Sequence, residues 1–131
     1  MQNVFGAAIA VLLTFLAPIS IYIFVMLLFV ACDFITGVRA AQKRKELVQS
    51  KRMRDSVDKF IYYALAIVLS HALDMTLFNG VVNITYTVGG FILMIEFKSN
   101  LENISSITGI SLWEFVKEKL ASWFKKPTDE K

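Results

Sequence analysis

The sequence contains very little of what builds catalytic, metal or disulfide sites. Among its 131 residues there is one cysteine, Cys32, and one histidine, His71. A lone cysteine excludes an intramolecular disulfide and a zinc site of the Cys/His type. No serine or cysteine has a base at a recognisable spacing, and there is no glycine-rich loop for a phosphate. The sequence therefore gives no support to an enzyme, and it predicts no cofactor and no bound metal.

Formal charge is also absent from a long N-terminal run, the 29 residues from Val4 to Cys32. A bilayer core about 30 Å thick needs about 20 apolar helical residues, so the run exceeds one crossing and is too short for two crossings with a turn. Pro18 divides the run because proline lacks a backbone N–H and favours the first turn of a helix. We therefore expect a first span over residues 18–38 and a short apolar helix over residues 4–17. That helix would lie in the interface, pack on the bundle or cross the membrane.

Two further apolar segments follow. The chain is 56% hydrophobic, more than a soluble domain of this size can bury. We predict a second span over residues 60–78, ended by the turn signal Asn79-Gly80, and a third over residues 81–97. The expected fold class is all-α: an integral membrane helical bundle, residues 1–98, with three transmembrane helices, or four if residues 4–17 also cross.

Small and polar residues recur at helical spacing in these two spans. They are Ser70 and Asp74 in the second span and Asn83, Thr87 and Gly90 in the third. Such stripes are typical of helix-packing or pore-facing surfaces. The alternative is that glycine and threonine are simply common in membrane helices.

Lysine and arginine are concentrated between the first and second spans, in residues 39–59. The basic residues of this segment are Arg39, Lys43, Arg44, Lys45, Lys51, Arg52, Arg54 and Lys59. Since apolar segments flank it, we interpret the segment as an orientation signal rather than a nucleic-acid site. Cytoplasmic loops of membrane proteins carry an excess of basic residues. The pattern therefore predicts a cytoplasmic loop, a C-terminus in the cytoplasm, and an N-terminus outside unless residues 4–17 cross.

The remaining residues, 99–131, are predicted to form a cytoplasmic tail. A capping-box pattern and apolar residues at helical spacing predict an amphipathic helix over residues 111–126. Trp113 and Trp123 on its apolar face suit the lipid headgroup layer. Binding of a cytoplasmic protein partner is the competing interpretation.

Four ionisable residues fall in or near the spans, and such groups are costly at membrane depth. They are Asp33, His71, Asp74 and Glu96. We expect Asp33 and Glu96 to pair across helices with Arg39, Lys59 or Lys98. A proton pathway through the four residues is the more ambitious alternative.

The order of several short motifs resembles the phage lysis and toxin-secretion holin family. These motifs are Asp33-Phe-Ile-Thr36-Gly37 at the end of an apolar span, the basic loop, the next apolar span, and a Glu102-Asn103 segment that runs to Gly109. The likeness covers about residues 27–110. It implies structural or assembly roles for Asp33, Thr36, Gly37, Glu102 and Asn103.

The resemblance also implies a function. Members of that family are small proteins of the bacterial inner membrane that form homo-oligomers and permeabilise the bilayer, which releases an endolysin or a toxin. The alternative is a non-lytic membrane adaptor that recruits a cytoplasmic partner through the basic loop and the tail helix. A third class, an ion pathway, would use His71 and Asp74.

Overall fold

The computed structural model describes residues 2–48, 50–78 and 81–124, and these residues are almost entirely helical. The helices are α1, Gln2–Leu16; α2, Ser20–Lys43; α3, Ser50–Leu73; α4, Ile84–Thr108; and α5, Leu112–Phe124. A 3₁₀ turn, Ala17–Ile19, joins α1 to α2, and a π-helical turn, Asp74–Phe78, extends α3. The turn signal at Asn79-Gly80 and the predicted end of the tail helix at residues 125–126 lie outside the described residues.

Pro18 lies between α1 and α2, and it is the residue that was predicted to divide the uncharged run. It lies in the 3₁₀ turn, where Ser20 Oγ donates to the Ala17 carbonyl over 2.8 Å. Residues 3–14 of α1 are exposed. The end of α1 reaches the other helices, because the Phe15 ring lies 4.9 Å from the His71 ring.

The basic segment differs from the predicted loop over residues 39–59. Helix α2 continues to Lys43 and α3 already begins at Ser50, so both ends of the segment are helical. The physical reason is that the segment contains neither proline nor glycine, and its Ala, Gln, Lys and Arg residues favour helix. In the connection, Arg44 donates two hydrogen bonds to Glu46, of 2.6 and 2.9 Å. These bonds hold the pKa of Glu46 below its usual range.

Helices α2, α3 and α4 form the core. Four buried apolar side chains form one cluster, Ile19, Met26, Ile67 and Ile92, and Val30, Ala40 and Ala41 are also buried. Gly89 of α4 permits the close contact, since a Cβ built there would lie 3.2 Å from Ile67 Cδ1 and 3.3 Å from Tyr22 Cδ1. The neighbouring Gly90 is exposed with open space around it. The small-residue contact of α4 is therefore made by Gly89.

Two helical stretches are long and apolar enough to cross a membrane, Asn3–Lys43 and Ser50–Phe78. Both leave most of their apolar side chains exposed, as lipid-facing helices do. Within the described residues, α4 does not meet the same criterion of length and hydropathy. It begins at its N-cap, Asn83, and its C-terminal half carries charged and amide side chains.

Candidate functional site

A charge triad joins the three core helices. Lys59 of α3 donates to Asp33 of α2 over 2.9 Å, and its Nζ lies 2.9 Å from Oε1 and 3.0 Å from Oε2 of Glu96 on α4. The Glu96 side chain is 1% exposed and that of Asp33 is 14% exposed. The sequence predicts Arg39, Lys59 or Lys98 as the partner of these carboxylates. Of these three cations, Lys59 contacts both Asp33 and Glu96.

Asp33 receives additional hydrogen bonds from α4. Ser99 Oγ donates to its Oδ1 over 2.6 Å, and Asn103 Nδ2 donates to the same oxygen over 2.9 Å. With Lys59 on Oδ2, the carboxylate has three donors from two helices. A buried carboxylate needs such donors because desolvation of an unpaired charge is costly.

The Glu96 carboxylate also accepts hydrogen bonds from a neighbouring helix. Tyr63 of α3 donates its hydroxyl to Glu96 Oε1 over 3.0 Å. One turn further along α4, Asn100 donates to the Phe29 carbonyl over 3.1 Å and to the Glu96 carbonyl over 2.8 Å. The charge triad therefore lies within a polar network that links α2, α3 and α4.

The Asp-x-x-Thr-Gly motif lies in this network. Thr36 Oγ1 donates to the Cys32 carbonyl over 2.8 Å and lies 3.5 Å from Asn100 Oδ1. The Gly37 carbonyl accepts from Arg52 of α3. A Cβ at Gly37 would lie 3.4 Å from Asn103 Nδ2, so a larger side chain would displace a partner of Asp33.

A small polar cavity brings a further cation close to the charge triad. Its volume is about 130 Å³, it lies between the three helices, and both Asp33 and Arg52 line it. Arg52 donates to the Gly37 carbonyl, and Lys59 is the cation that pairs with Asp33 and Glu96.

A second polar group lies at the opposite end of the bundle and holds the start of α4. Asp74 Oδ1 accepts from the Ile84 N–H, and its Oδ2 accepts from the Thr85 N–H and hydroxyl, at 2.8, 2.8 and 2.7 Å. Asn83 Oδ1 accepts from the Tyr86 N–H over 2.8 Å. Both side chains satisfy free backbone donors, and Asp74 also complements the positive end of the helix dipole.

His71 lies beside this group. Its Nε2 is buried and has no hydrogen-bond partner among the described residues. The side chain lines a cavity of about 500 Å³ that Pro18, Tyr22 and Asp74 also line. The charge triad is about 18 Å away along α3, and the apolar core lies between the two groups. The described structure contains no hydrogen bond that joins them.

The other residues predicted as helix-packing, pore-facing or family-motif positions do not lie together in the structure. Ser70 is buried and donates to the Ala66 carbonyl over 2.8 Å, whereas Thr87 and Gly90 are exposed on α4. Glu102 is exposed and pairs with Lys98 over 2.5 Å. The buried face of α4 is a different one, formed by Thr85, Gly89, Ile92, Glu96 and Asn100.

At the loop end, two basic residues bind the C-terminal turn of α4. Lys43 Nζ donates to the Ile107 carbonyl over 2.6 Å, and Arg44 donates to Ser106 Oγ over 3.0 Å. Cations at a helix C-terminus are favourable because free carbonyls and the negative end of the dipole lie there. These contacts fasten α2 to α4.

Ser99 and Asn100 belong to the network although the sequence motifs did not select them as site residues, and Arg52 was predicted only as a residue of the basic loop. A signal was present in α4: Glu96, Ser99, Asn100 and Asn103 are spaced at i, i+3, i+4 and i+7, which places them on one helix face. No signal linked Arg52 to the network, since its partner is a backbone carbonyl.

The fold and the network define a class, a small all-helical membrane protein with two apolar candidate spans held to a third helix by buried charges. A family model described as the bacteriophage holin family matches residues 10–124. The chain belongs to this family. Holins are non-enzymatic membrane proteins, and membership implies membrane permeabilisation for phage lysis. Comparison with curated proteins and with solved structures gave no match.

Proposed function

We propose that this holin oligomerises in the bacterial inner membrane and opens it for an endolysin or a folded toxin. The observation that carries the proposal is the distribution of polarity on α4. Its buried polar side chains, Thr85, Glu96 and Asn100, lie on the face packed in the bundle, while Phe91, Met94 and Ile95 are exposed. The apolar outer surface of the closed bundle is suited to contact with lipid. The polar side chains in its interior are the groups that would line an aqueous path.

The proposed topology has three crossings, with α4 as the third. Isolated in lipid, Glu96 and Asn100 would make α4 a poor span, because unsatisfied polar groups in hydrocarbon cost several kcal/mol. Packed against α2 and α3, these groups have partners. The positive-inside rule then favours a cytoplasmic α2–α3 connection and C-terminus, with the N-terminus outside.

Helix lengths support this placement. Arg54 and Asp74 are 20 positions apart, which is about 30 Å along a helix, and Ser20 and Arg39 are 19 positions apart, which is about 29 Å. Both match the hydrocarbon thickness of about 30 Å. Lys59 lies five residues from Arg54, so the charge triad would sit about 8 Å inside the cytoplasmic boundary.

Opening of the membrane then requires more than the association of closed bundles into an oligomer. A ring of closed bundles would present apolar side chains to its lumen, which water does not wet. We infer that α4 separates from α2 and α3 within the oligomer and turns Glu96, Ser99 and Asn103 toward water. The charge triad acts as the contact that keeps the bundle closed before that step.

The test is induction in bacteria, with the chain alone, an endolysin alone, and both together. We expect the chain alone to abolish the membrane potential abruptly, and the pair to add a rapid fall in culture turbidity. The endolysin alone should do neither. Stable growth with intact potential at high expression would overturn the proposal and favour the non-lytic adaptor.

A further inference from the structure

The two tryptophans of α5 have different surroundings. Trp113 is half-buried, and Lys98 of α4 lies over its ring at 5.9 Å. Trp123 is 78% exposed and the adjacent Phe124 is 86% exposed. Among the described residues, this aromatic end of α5 is therefore left accessible to a partner outside the bundle.

The contact between α4 and α5 explains the difference. Gly109 ends α4 in the left-handed conformation, with φ of 81°, and Ser105 Oγ accepts from the Leu112 N–H over 3.0 Å. Leu112, Val116 and Leu120 share the inner face of α5 with Trp113 and are half-buried. The last turn, with Trp123 and Phe124, is exposed beyond these residues.

The proposed topology sets the depth of α5. Asn83 and Glu102 are 19 positions apart, which is about 29 Å along a helix and enough to cross the hydrocarbon core. Thr108 lies six residues further, which is about 9 Å beyond that boundary. The headgroup layer on each side is about 5 to 8 Å thick. The end of α4 at Thr108 therefore lies just outside this layer, and α5 begins at Leu112.

We propose that the Trp123–Phe124 end of α5 inserts into the headgroup layer of the cytoplasmic leaflet. Tryptophan favours this layer because its ring is apolar and its indole N–H finds polar partners there. Lys119 is exposed on α5 one turn before Trp123, and its ammonium group complements lipid phosphates. Lys117 instead pairs with Glu114 over 2.7 Å. The inference rests on the proposed topology and adds a lipid-binding surface to it.

Since Trp113 and Trp123 are the two tryptophans of the chain, fluorescence reports on α5 directly. The full chain is reconstituted in vesicles of phosphatidylethanolamine and phosphatidylglycerol, with or without bromine near the top of the acyl chains. The variant W113F then reports on Trp123, and the matched variant W123F reports on Trp113.

For W113F we expect about a twofold loss of emission with brominated lipid and protection from acrylamide. Adding Phe124→Asp should reduce the bromine quenching, because a carboxylate opposes insertion. Full acrylamide quenching without a bromine effect would overturn the inference. Protection from acrylamide without a bromine effect would also overturn it, since that result assigns the surface to a protein contact.

Dye trapped in the same vesicles separates this inference from the proposed function. Bromine quenching of Trp123 without dye release supports the lipid contact and counts against permeabilisation by the chain alone. Dye release without quenching supports permeabilisation and overturns the lipid contact.

Discussion

Lys59 on α3 and Glu96 on α4 form an ion pair, with Nζ 2.9 Å from Oε1, although the Glu96 side chain is 1% exposed. The same ammonium group reaches Asp33 on α2. One cation therefore joins all three core helices, and its removal leaves two carboxylates that share a low-dielectric site.

We expect Lys59→Met to destabilise the folded chain by about 3 kcal/mol, because it leaves an uncompensated buried charge. Lys98→Met is the matched control, since Lys98 pairs with an exposed carboxylate, and we expect a change within about 0.5 kcal/mol. Thermal unfolding in detergent measures both. The double variant Lys59→Met/Glu96→Gln should recover part of the loss. Equal stability of Lys59→Met and Lys98→Met would contradict the role of the charge triad.

Lysis timing tests whether the charge triad also keeps the bundle closed. We expect Lys59→Arg to retain both ion pairs and to accumulate like the parent chain, with a shifted onset of lysis because the contact geometry changes. Onset is read from the culture turbidity with a co-expressed endolysin. Lys98→Arg should leave the onset unchanged. An unchanged onset for Lys59→Arg as well would count against this role.

Adjacent glycines in α4 provide a matched pair. Gly89→Leu should cost about 1 to 3 kcal/mol by overpacking, since Ile67 and Tyr22 already contact that position. Gly90→Leu should leave the stability of the chain unchanged or slightly increased, because the site is open and leucine favours helix. Unfolding in detergent distinguishes them, and a larger loss for Gly90→Leu would show that the other face of α4 is packed.

Asp74 is expected to act as a cap of α4. Asp74→Ala removes the acceptor of the Ile84 and Thr85 donors and should cost about 1 to 2 kcal/mol. Thr76→Ala, in the same π-helical turn as Asp74 and with an exposed hydroxyl that donates to the Ala72 carbonyl, should be neutral. Asp74→Asn keeps one oxygen and should be intermediate. If Asp74→Asn instead abolished a pH-dependent proton current at unchanged stability, the ion-pathway interpretation would gain support.

The corner between α4 and α5 depends on Gly109. Gly109→Ala should cost about 1 kcal/mol or more, because a side chain is disfavoured at its φ of 81°. Gly6→Ala is the control in a helix with open space, and it should be neutral or slightly stabilising. The measurement is unfolding in detergent together with the emission of Trp113, read in variants that also carry W123F. Trp113 should become more exposed to acrylamide in Gly109→Ala but not in Gly6→Ala.

Local sequence signals predicted much of the helical organisation. The uncharged run indicated a membrane protein and Pro18 indicated where its first helix divides, because both signals depend on residue chemistry and helix geometry alone. Predicted boundaries were less accurate. The basic segment is helical at both ends and α4 continues to Thr108, since packing and side-chain contacts lengthen helices beyond their apolar parts.

The sequence by itself determined that Asp33 and Glu96 need cationic partners, because a carboxylate near the bilayer core is costly when unpaired. Only the tertiary structure decided that Lys59 serves both and that Ser99 and Asn103 complete the site. It also decided that Gly89, rather than Gly90, makes the close contact. These choices depend on the rotation of each helix about its axis, and that rotation is fixed by three-helix packing that no local pattern encodes.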